Sequence, residues 1–270
     1  MSNVLVTGAK GQLGREIKKL RNNFSQIYNF TDIEELDMTD KQALAVYLTS
    51  NPADYIINCA AYTDVDGAES EPDQAAVLNR DVIMNLKEIL EDHPNTRIFH
   101  ISTDYIFKGD LIHPLSEEDP ADPVSVYGKT KLEGESILHG HPKAIIIRTS
   151  WLFSVFGKNF VKSMINKMDQ YDDLRVVYDQ MGTPTYAEDL ARAIMQIISD
   201  VESGQSEYVP GIFNYSNEGV CSWYDLAMEV CRLIKCKGSI YPIETKEYPL
   251  PAERPVYSVL NKSRIKEVYG

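Results

Sequence analysis

The run Gly8-Ala9-Lys10-Gly11-Gln12-Leu13-Gly14 constrains the fold more than any other stretch of this chain. It follows the apolar run Val4-Leu5-Val6 and opens a helical pattern over residues 12–20. Glycines between a buried strand and a helix permit a tight turn and let the backbone approach a pyrophosphate, whose charge the helix N-terminus meets. The spacing is GxxGxxG rather than GxGxxG, so the strand–loop–helix setting carries the reading as much as the letters do. A glycine-rich turn with no ligand is the plainer alternative. The mechanism also asks for an acidic residue about twenty positions further on, to hold the adenosine ribose, and Asp32 stands there. An Asp favours NADH over NADPH, whose extra phosphate it repels, whereas Lys10 inside the loop offsets that repulsion. Both cofactors stay open, and Asp32 alone is equally a solvated turn residue.

Strand and helix patterns alternate through the first half. Residues 27–30, 55–58, 97–101 and 144–147 read as strands and 40–48 as a helix, and a long helix carries Ala75, Leu78, Val82 and Leu86 on one face. Apolar, β-branched strands separated by helices predict an α/β fold, a Rossmann-type doubly wound parallel sheet covered on both faces. The second half is richer in proline, with strands expected at 174–177 and 211–214 and helices at 187–198 and 223–234. The expected division is a dinucleotide-binding domain over 1–150, with about 184–205 returning to it, and a smaller interwoven lobe over 151–183 and 206–270.

The charge balance narrows the partners. A net charge of −13 argues against a nucleic-acid binder, which needs a basic stripe. No apolar run reaches membrane-spanning length, and the N-terminus lacks the basic and apolar regions of a signal peptide, so the expectation is a cytoplasmic protein with no membrane partner. Cys59, Cys221, Cys231 and Cys236 show no CxxC pair and are expected as reduced thiols. His93, His100, His113, His139 and His141 form no cluster with acidic or cysteine partners; His100, within a strand, is expected to be packed.

Tyr127 and Lys131 stand four apart, so on a helix they share one face. A free phenol has a pKa near 10 and donates its proton poorly at neutral pH. A nearby ammonium and a nicotinamide's positive charge favour phenolate and make proton exchange practical. YxxxK alone is common, and a packed tyrosine beside a surface lysine explains it equally well. Order and distance alter the balance. The strand ending in Ile101-Ser102-Thr103-Asp104 precedes the tyrosine by some two dozen residues, and Thr103 falls where open α/β sheets place their sites. Its hydroxyl can orient a substrate carbonyl against the phenol.

These residues, with Asn58 through Asp66, Ser102-Thr103-Asp104-Tyr105-Ile106-Phe107, Val126 through Lys131, Arg148-Thr149-Ser150-Trp151, Pro184-Thr185 and Glu253-Arg254-Pro255, resemble the dTDP-4-dehydrorhamnose reductase family of extended short-chain dehydrogenases/reductases. The resemblance runs nearly end to end. It implies a dTDP-sugar substrate, NADPH or NADH as cofactor, and a place in dTDP-rhamnose biosynthesis. It assigns catalysis to Thr103, Tyr127 and Lys131. The family's dinucleotide contacts fall to Gly11, Gln12, Leu13, Asp37, Met38, Ala61, Tyr62 and Thr63, with Lys131 on the ribose; the glycine-loop reading adds Gly8, Lys10, Gly14 and Asp32, and Ala60 and Tyr127 complete the cofactor set. Val65, Thr103, Asp104, Trp151 and Arg254 fall to the sugar nucleotide, the guanidinium of Arg254 as a diphosphate clamp. Read bottom-up, Arg254 is also a solvated turn residue and Trp151 also core filler.

Some members of the family dimerise through acidic residues that hold Mg2+. Glu16 and Glu188 match two of those positions, and the segment carrying a third lies beyond Gly270. The two are expected as exposed helix residues, which makes a metal-bridged homodimer doubtful. Three rival functions remain. A dehydratase or epimerase is disfavoured because Tyr105 follows Asp104 where dehydratases of the superfamily carry an Asp-Glu pair. Another nucleotide-sugar 4-ketoreductase fits the same residues. A non-catalytic dinucleotide-binding regulatory subunit is disfavoured because it would need none of Thr103, Tyr127 and Lys131.

Overall fold

The computed structural model describes residues 1–270. The first half runs β1 (Asn3–Thr7), α1 (Gln12–Leu20), β2 (Ile27–Phe30), α2 (Lys41–Ser50), β3 (Tyr55–Asn58), α3 (Val65–Ser70), α4 (Pro72–Ala76), α5 (Val82–Asp92), β4 (Arg97–Thr103), α6 (Val126–Leu138) and β5 (Ala144–Thr149). Then follow β6 (Leu152–Phe153), α7 (Phe160–Gln170), β7 (Asp173–Val177), β8 (Met181–Gly182), β9 (Thr185–Tyr186), α8 (Ala187–Ser203), β10 (Gly211–Tyr215), β11 (Cys221–Ser222), α9 (Trp223–Ile234), β12 (Ser239–Ile243) and α10 (Ser263–Tyr269).

Six strands form one sheet in the order β10-β5-β4-β3-β1-β2, every pair parallel. Side chains alternate between its faces with period 2. Val4 and Val6 pack with Leu13 and Ile17 of α1 and Leu190 and Ile194 of α8 in one core. Leu5 joins Leu44 and Leu48 of α2 and Leu86 and Ile89 of α5 in the other. Both faces are therefore apolar, which is why the strands read as continuous hydrophobic runs. From β1 the chain crosses to β2 on one side and then to β3 on the other. The resulting switch point opens a crevice at the C-terminal ends of β1, β3 and β4.

The smaller lobe holds the parallel pair β7–β12, with α7 and α9 packed through Met164, Val176, Ala227 and Val230. One strand departs from the expected division. β10, expected in this lobe, pairs along its length with β5, and Ile212 and Phe213 fill the two faces of the main sheet. α10 follows it, placing Ile265 in the main core. The reason is burial: a strand that is apolar on both faces finds two covered faces only in the large sheet.

Two further expectations are corrected. The long helix carrying Ala75 to Leu86 is broken into α4 and α5 by one π-type turn over Val77–Asp81, which leaves Leu78 half-buried and turns Asn79 inward. Cys231 and Cys236, expected as reduced thiols, form a disulfide. Lys235 closes α9 in a left-handed conformation and turns the chain back, bringing the two Cα atoms to 5.0 Å. Cys59 and Cys221 are free. No helix is long and apolar enough to cross a membrane.

Candidate active site

The crevice is a cleft of about 850 Å3 whose floor is the β1–α1 loop. Gly8 sits at φ +62°, and a Cβ there would lie 2.6 Å from the backbone nitrogen of Ala60, so the loop presses directly against the end of β3. Gly11 precedes α1 without a side-chain cap, leaving the first-turn N–H groups facing the cleft. Gly14 serves packing instead: an added Cβ would meet the Gly8 carbonyl oxygen at 2.6 Å, and Gly14 does not line the cleft. Lys10, Gln12 and Leu13 do line it. These features fit a dinucleotide: backbone donors at a glycine cradle, beside a cavity long enough to pass from loop to sheet end.

Asp32 lies at the far rim. Its carboxylate accepts from the backbone N–H of Lys10 at 2.8 Å, which ties the end of β2 to the loop. The Lys10 ammonium pairs with Glu34 outside the cleft. Asp37 accepts from the backbone N–H and hydroxyl of Thr39, and these bonds hold its carboxyl below the usual range. Met38 is buried beside it, and Ala60, Ala61 and Thr63 line the cleft after β3. Tyr62 is turned away, its hydroxyl on Glu71 and its backbone N–H and carbonyl held by Asn79. The same Asn79 donates to the Thr130 hydroxyl on α6. The π turn is thus a bracket joining the loop after β3 to the helix that carries Tyr127, a part no sequence periodicity announces.

Thr103, Tyr127 and Lys131 converge on this cleft. Ser125 caps α6, accepting from the Gly128 N–H, and Gly128 lets the helix sit against the Tyr105 carbonyl. Tyr127 therefore lies one residue into the helix, within hydrogen-bond reach of Thr103. Burial pushes its phenol up to about 12; the Thr103 bond lowers it and Asp104 raises it. The expected lowering by Lys131 is absent: burial brings that ammonium down to about 8, so it has already lost its proton where the phenol ionises, while its nitrogen is fixed by the Ile101 carbonyl at 2.5 Å. Without a cofactor's positive charge, desolvation wins. Burial likewise brings Lys131 down to about 8, against the opposing charge of Glu135. One turn beyond Lys131, Glu135 forms a buried ion pair with Arg148 and accepts from the Ser102 hydroxyl at 2.8 Å. This strut locks α6 to β4 and β5. His100 is buried as expected, bonded to Asn58, with burial holding its imidazole well below its ordinary pKa.

Asp104 and Val65 line the cleft beside Thr103. Burial raises the Asp104 carboxyl to about 7, only partly offset by hydrogen bonds from Ser258 and Thr103, and its Oδ2 has no partner. Arg254 lies elsewhere. It lines a second cavity of about 670 Å3 in the smaller lobe, and its fork grips Asp66 of α3 at 2.7 and 3.0 Å. Tyr105 and Trp223 line both cavities, so the two adjoin. Trp151 stands on the cleft side of that boundary, stacked on Trp223. Trp223 and Asp66 were not singled out in the sequence, since partners so far apart along the chain leave no spacing to read.

Glu16, expected on an exposed face, is fully buried, and the Ser154 hydroxyl donates to its Oε1 at 2.6 Å. The Lys19 ammonium lies 2.5 Å from Glu188 and 3.6 Å from Glu16. An ammonium thus stands between the two carboxylates a cation would bridge. No third acidic, histidine or cysteine side chain joins them. The pair does not fit a metal ion.

A family model described as the RmlD substrate binding domain matches residues 1–270. The dTDP-4-dehydrorhamnose reductase of Aggregatibacter actinomycetemcomitans is 38% identical over 100% of this chain and 94% of its own length. A Streptomyces antibioticus protein named "Probable dTDP-4,6-dihydroxy-2-methyloxan-3-one 4-ketoreductase" is 39% identical over 96% of this chain and 87% of its own. The crystal structure of the Bacillus anthracis dTDP-4-dehydrorhamnose reductase in complex with NADP superposes with a TM-score of 0.92 at 33% identity. That match covers 98% of this chain and 92% of the other.

Proposed function

The chain belongs to the family of the RmlD substrate binding domain, and on that premise we propose that it reduces the 4-keto group of dTDP-4-dehydro-β-L-rhamnose to give dTDP-L-rhamnose. The carrying observation is the convergence of Thr103, Tyr127 and Lys131 on one cleft beside a glycine cradle. NADPH or NADH, held by Gly8, Lys10, Gly11, Gln12 and Leu13, by Asp37 and Met38 and by Ala60, Ala61 and Thr63, would supply the hydride; NADP in the Bacillus anthracis relative supports that assignment.

The residues then divide the work. Thr103 holds the ketone oxygen by its hydroxyl, fixing the carbonyl against the phenol. Tyr127 donates its proton to that oxygen as the C4 alcohol forms. A phenol buried with a pKa of about 12 is fully protonated at neutral pH, which suits a proton donor in the reductive direction. Lys131, fixed by the Ile101 carbonyl and the Glu135 charge, stabilises the phenolate left behind and offers its remaining protons to the ribose. Arg254 faces the second cavity, where it supports the diphosphate.

The resemblance to the Streptomyces antibioticus 4-ketoreductase favours a second substrate reading, a different dTDP-linked keto sugar with the same chemistry. A panel assay separates the two. Purified protein is offered dTDP-4-dehydro-L-rhamnose and other dTDP- and UDP-linked 4-keto sugars with NADPH or NADH, with and without EDTA. Preferential turnover of the first supports the proposal. Turnover of only another sugar replaces the substrate and keeps the chemistry, and no turnover of any removes the enzyme reading.

A further inference from the structure

The chain's only two tryptophans lie face to face, ring centroids 3.4 Å apart and planes 7° from parallel. They stand at the boundary of the two cavities: Trp223 lines both, Trp151 only the catalytic cleft. Trp151 is also one of only two non-glycine residues with positive φ, at +47°. That conformation costs free energy and persists only where the surroundings enforce it. The enforcement is visible. Gly182 leaves a notch for the indole, since a Cβ there would lie 2.5 Å from it. Trp223 backs the opposite side and is itself wedged by Phe160, 4.6 Å away. Trp223 is the first residue of α9 and lies inside the capping box that Ser222 and Asp225 form around it, so its backbone is fixed.

We propose that Trp223 is a positioning residue for the sugar: it holds Trp151 upright as the wall against which the hexulose ring packs, and so sets where the nucleotide ends and the reacting ring begins. The inference rests on the sugar-nucleotide reading above and adds a residue to it. An aromatic face suits the apolar side of a 6-deoxysugar, and a wall strained in its backbone keeps its place only while its buttress remains. Trp223 acts on the sugar through Trp151, and because it also lines the second cavity its loss should weaken the sugar nucleotide more than bare nucleotide.

The test is a double-mutant cycle with Trp151→Ala, Trp223→Leu and both together, with Trp223→Phe as the conservative variant. Dissociation constants are measured for dTDP-L-rhamnose, dTDP and NADPH. Trp223→Leu should weaken dTDP-L-rhamnose roughly tenfold, the upper size of an aromatic contact, weaken dTDP clearly less, and leave NADPH within about twofold. The double variant should be no worse than Trp151→Ala, and Trp223→Phe should restore most of the binding. In Trp223→Phe, Trp151 is the sole tryptophan, and its emission should respond to dTDP-L-rhamnose and not to dTDP. Equal weakening of dTDP and dTDP-L-rhamnose, or additive losses in the cycle, overturns the inference while leaving the ketoreductase reading intact. A wild-type protein that binds neither dTDP ligand overturns that reading and this inference with it. Retained NADPH binding in every variant reports that the fold survives.

Discussion

Lys131 is the residue at which burial and function oppose one another most directly. Desolvation draws its ammonium down to about 8, yet the proposed reduction needs it charged beside the phenol. With Tyr127 protonated throughout, kcat/KM for the keto sugar should be flat below pH 8 and fall about tenfold per unit above it. Stability runs the other way. The folded protein binds fewer protons at this site than the unfolded chain between about 8 and the ordinary value of 10.5. Stability therefore rises with pH through that window, and below it the full cost of burying the charge is present. Lys131→Met should abolish most activity while leaving the melting temperature unchanged or higher, by calorimetry at pH 7. Asp104 has the opposite sign. Its carboxyl, raised to about 7, favours the folded state below its unfolded pKa and loses that contribution as pH rises through 7. Asp104→Asn, which mimics the neutral acid, should gain roughly 1–3 kcal/mol of stability at pH 8 and much less at pH 5, by denaturant titration.

Among the elements, α6 decides whether the site exists, because it carries Tyr127 and Lys131 and is held from three sides. Asn79 of the π turn, the Glu135–Arg148 pair and the seat of Gly128 on Tyr105 each fix it. Removing one partner of a buried ion pair costs about 3–5 kcal/mol, so Arg148→Met should lower the denaturation midpoint strongly. Asn79→Ala strands the backbone groups of Tyr62 and should cost roughly 1–3 kcal/mol, with a rise in the NADPH dissociation constant because that loop lines the cleft. The elements themselves were largely legible. α9 begins and ends where the helical pattern predicted, and β1, β3, β4 and β5 announce themselves as apolar runs because both faces are covered. The π turn was not, since one extra residue in a helix shifts the apolar face without any distinctive letter. The lobe of β10 was not legible either, because its apolar run says that it is buried but not against which sheet.

In the whole molecule two cavities adjoin, and the proposed function divides its ligands between them: cofactor and sugar in the cleft at the sheet's switch point, nucleotide in the smaller lobe. Residues grouped by one short motif, such as the glycine loop, Thr103 and the Tyr127 and Lys131 pair, could be read from order and spacing, and all of these except Ala9 and Gly14 line the same cleft. Partnerships between distant segments could not. Asp66 with Arg254, Lys19 with Glu188 and Trp151 with Trp223 are separated by most of a domain in sequence, and only folding brings them together. The account turns on Tyr127 as proton donor. The most direct test is steady-state reduction of dTDP-4-dehydro-L-rhamnose by the Tyr127→Phe variant, with NADPH affinity measured in parallel. A loss of about 100- to 10,000-fold in kcat with NADPH binding unchanged is the predicted result; turnover within a few-fold of wild type would contradict it.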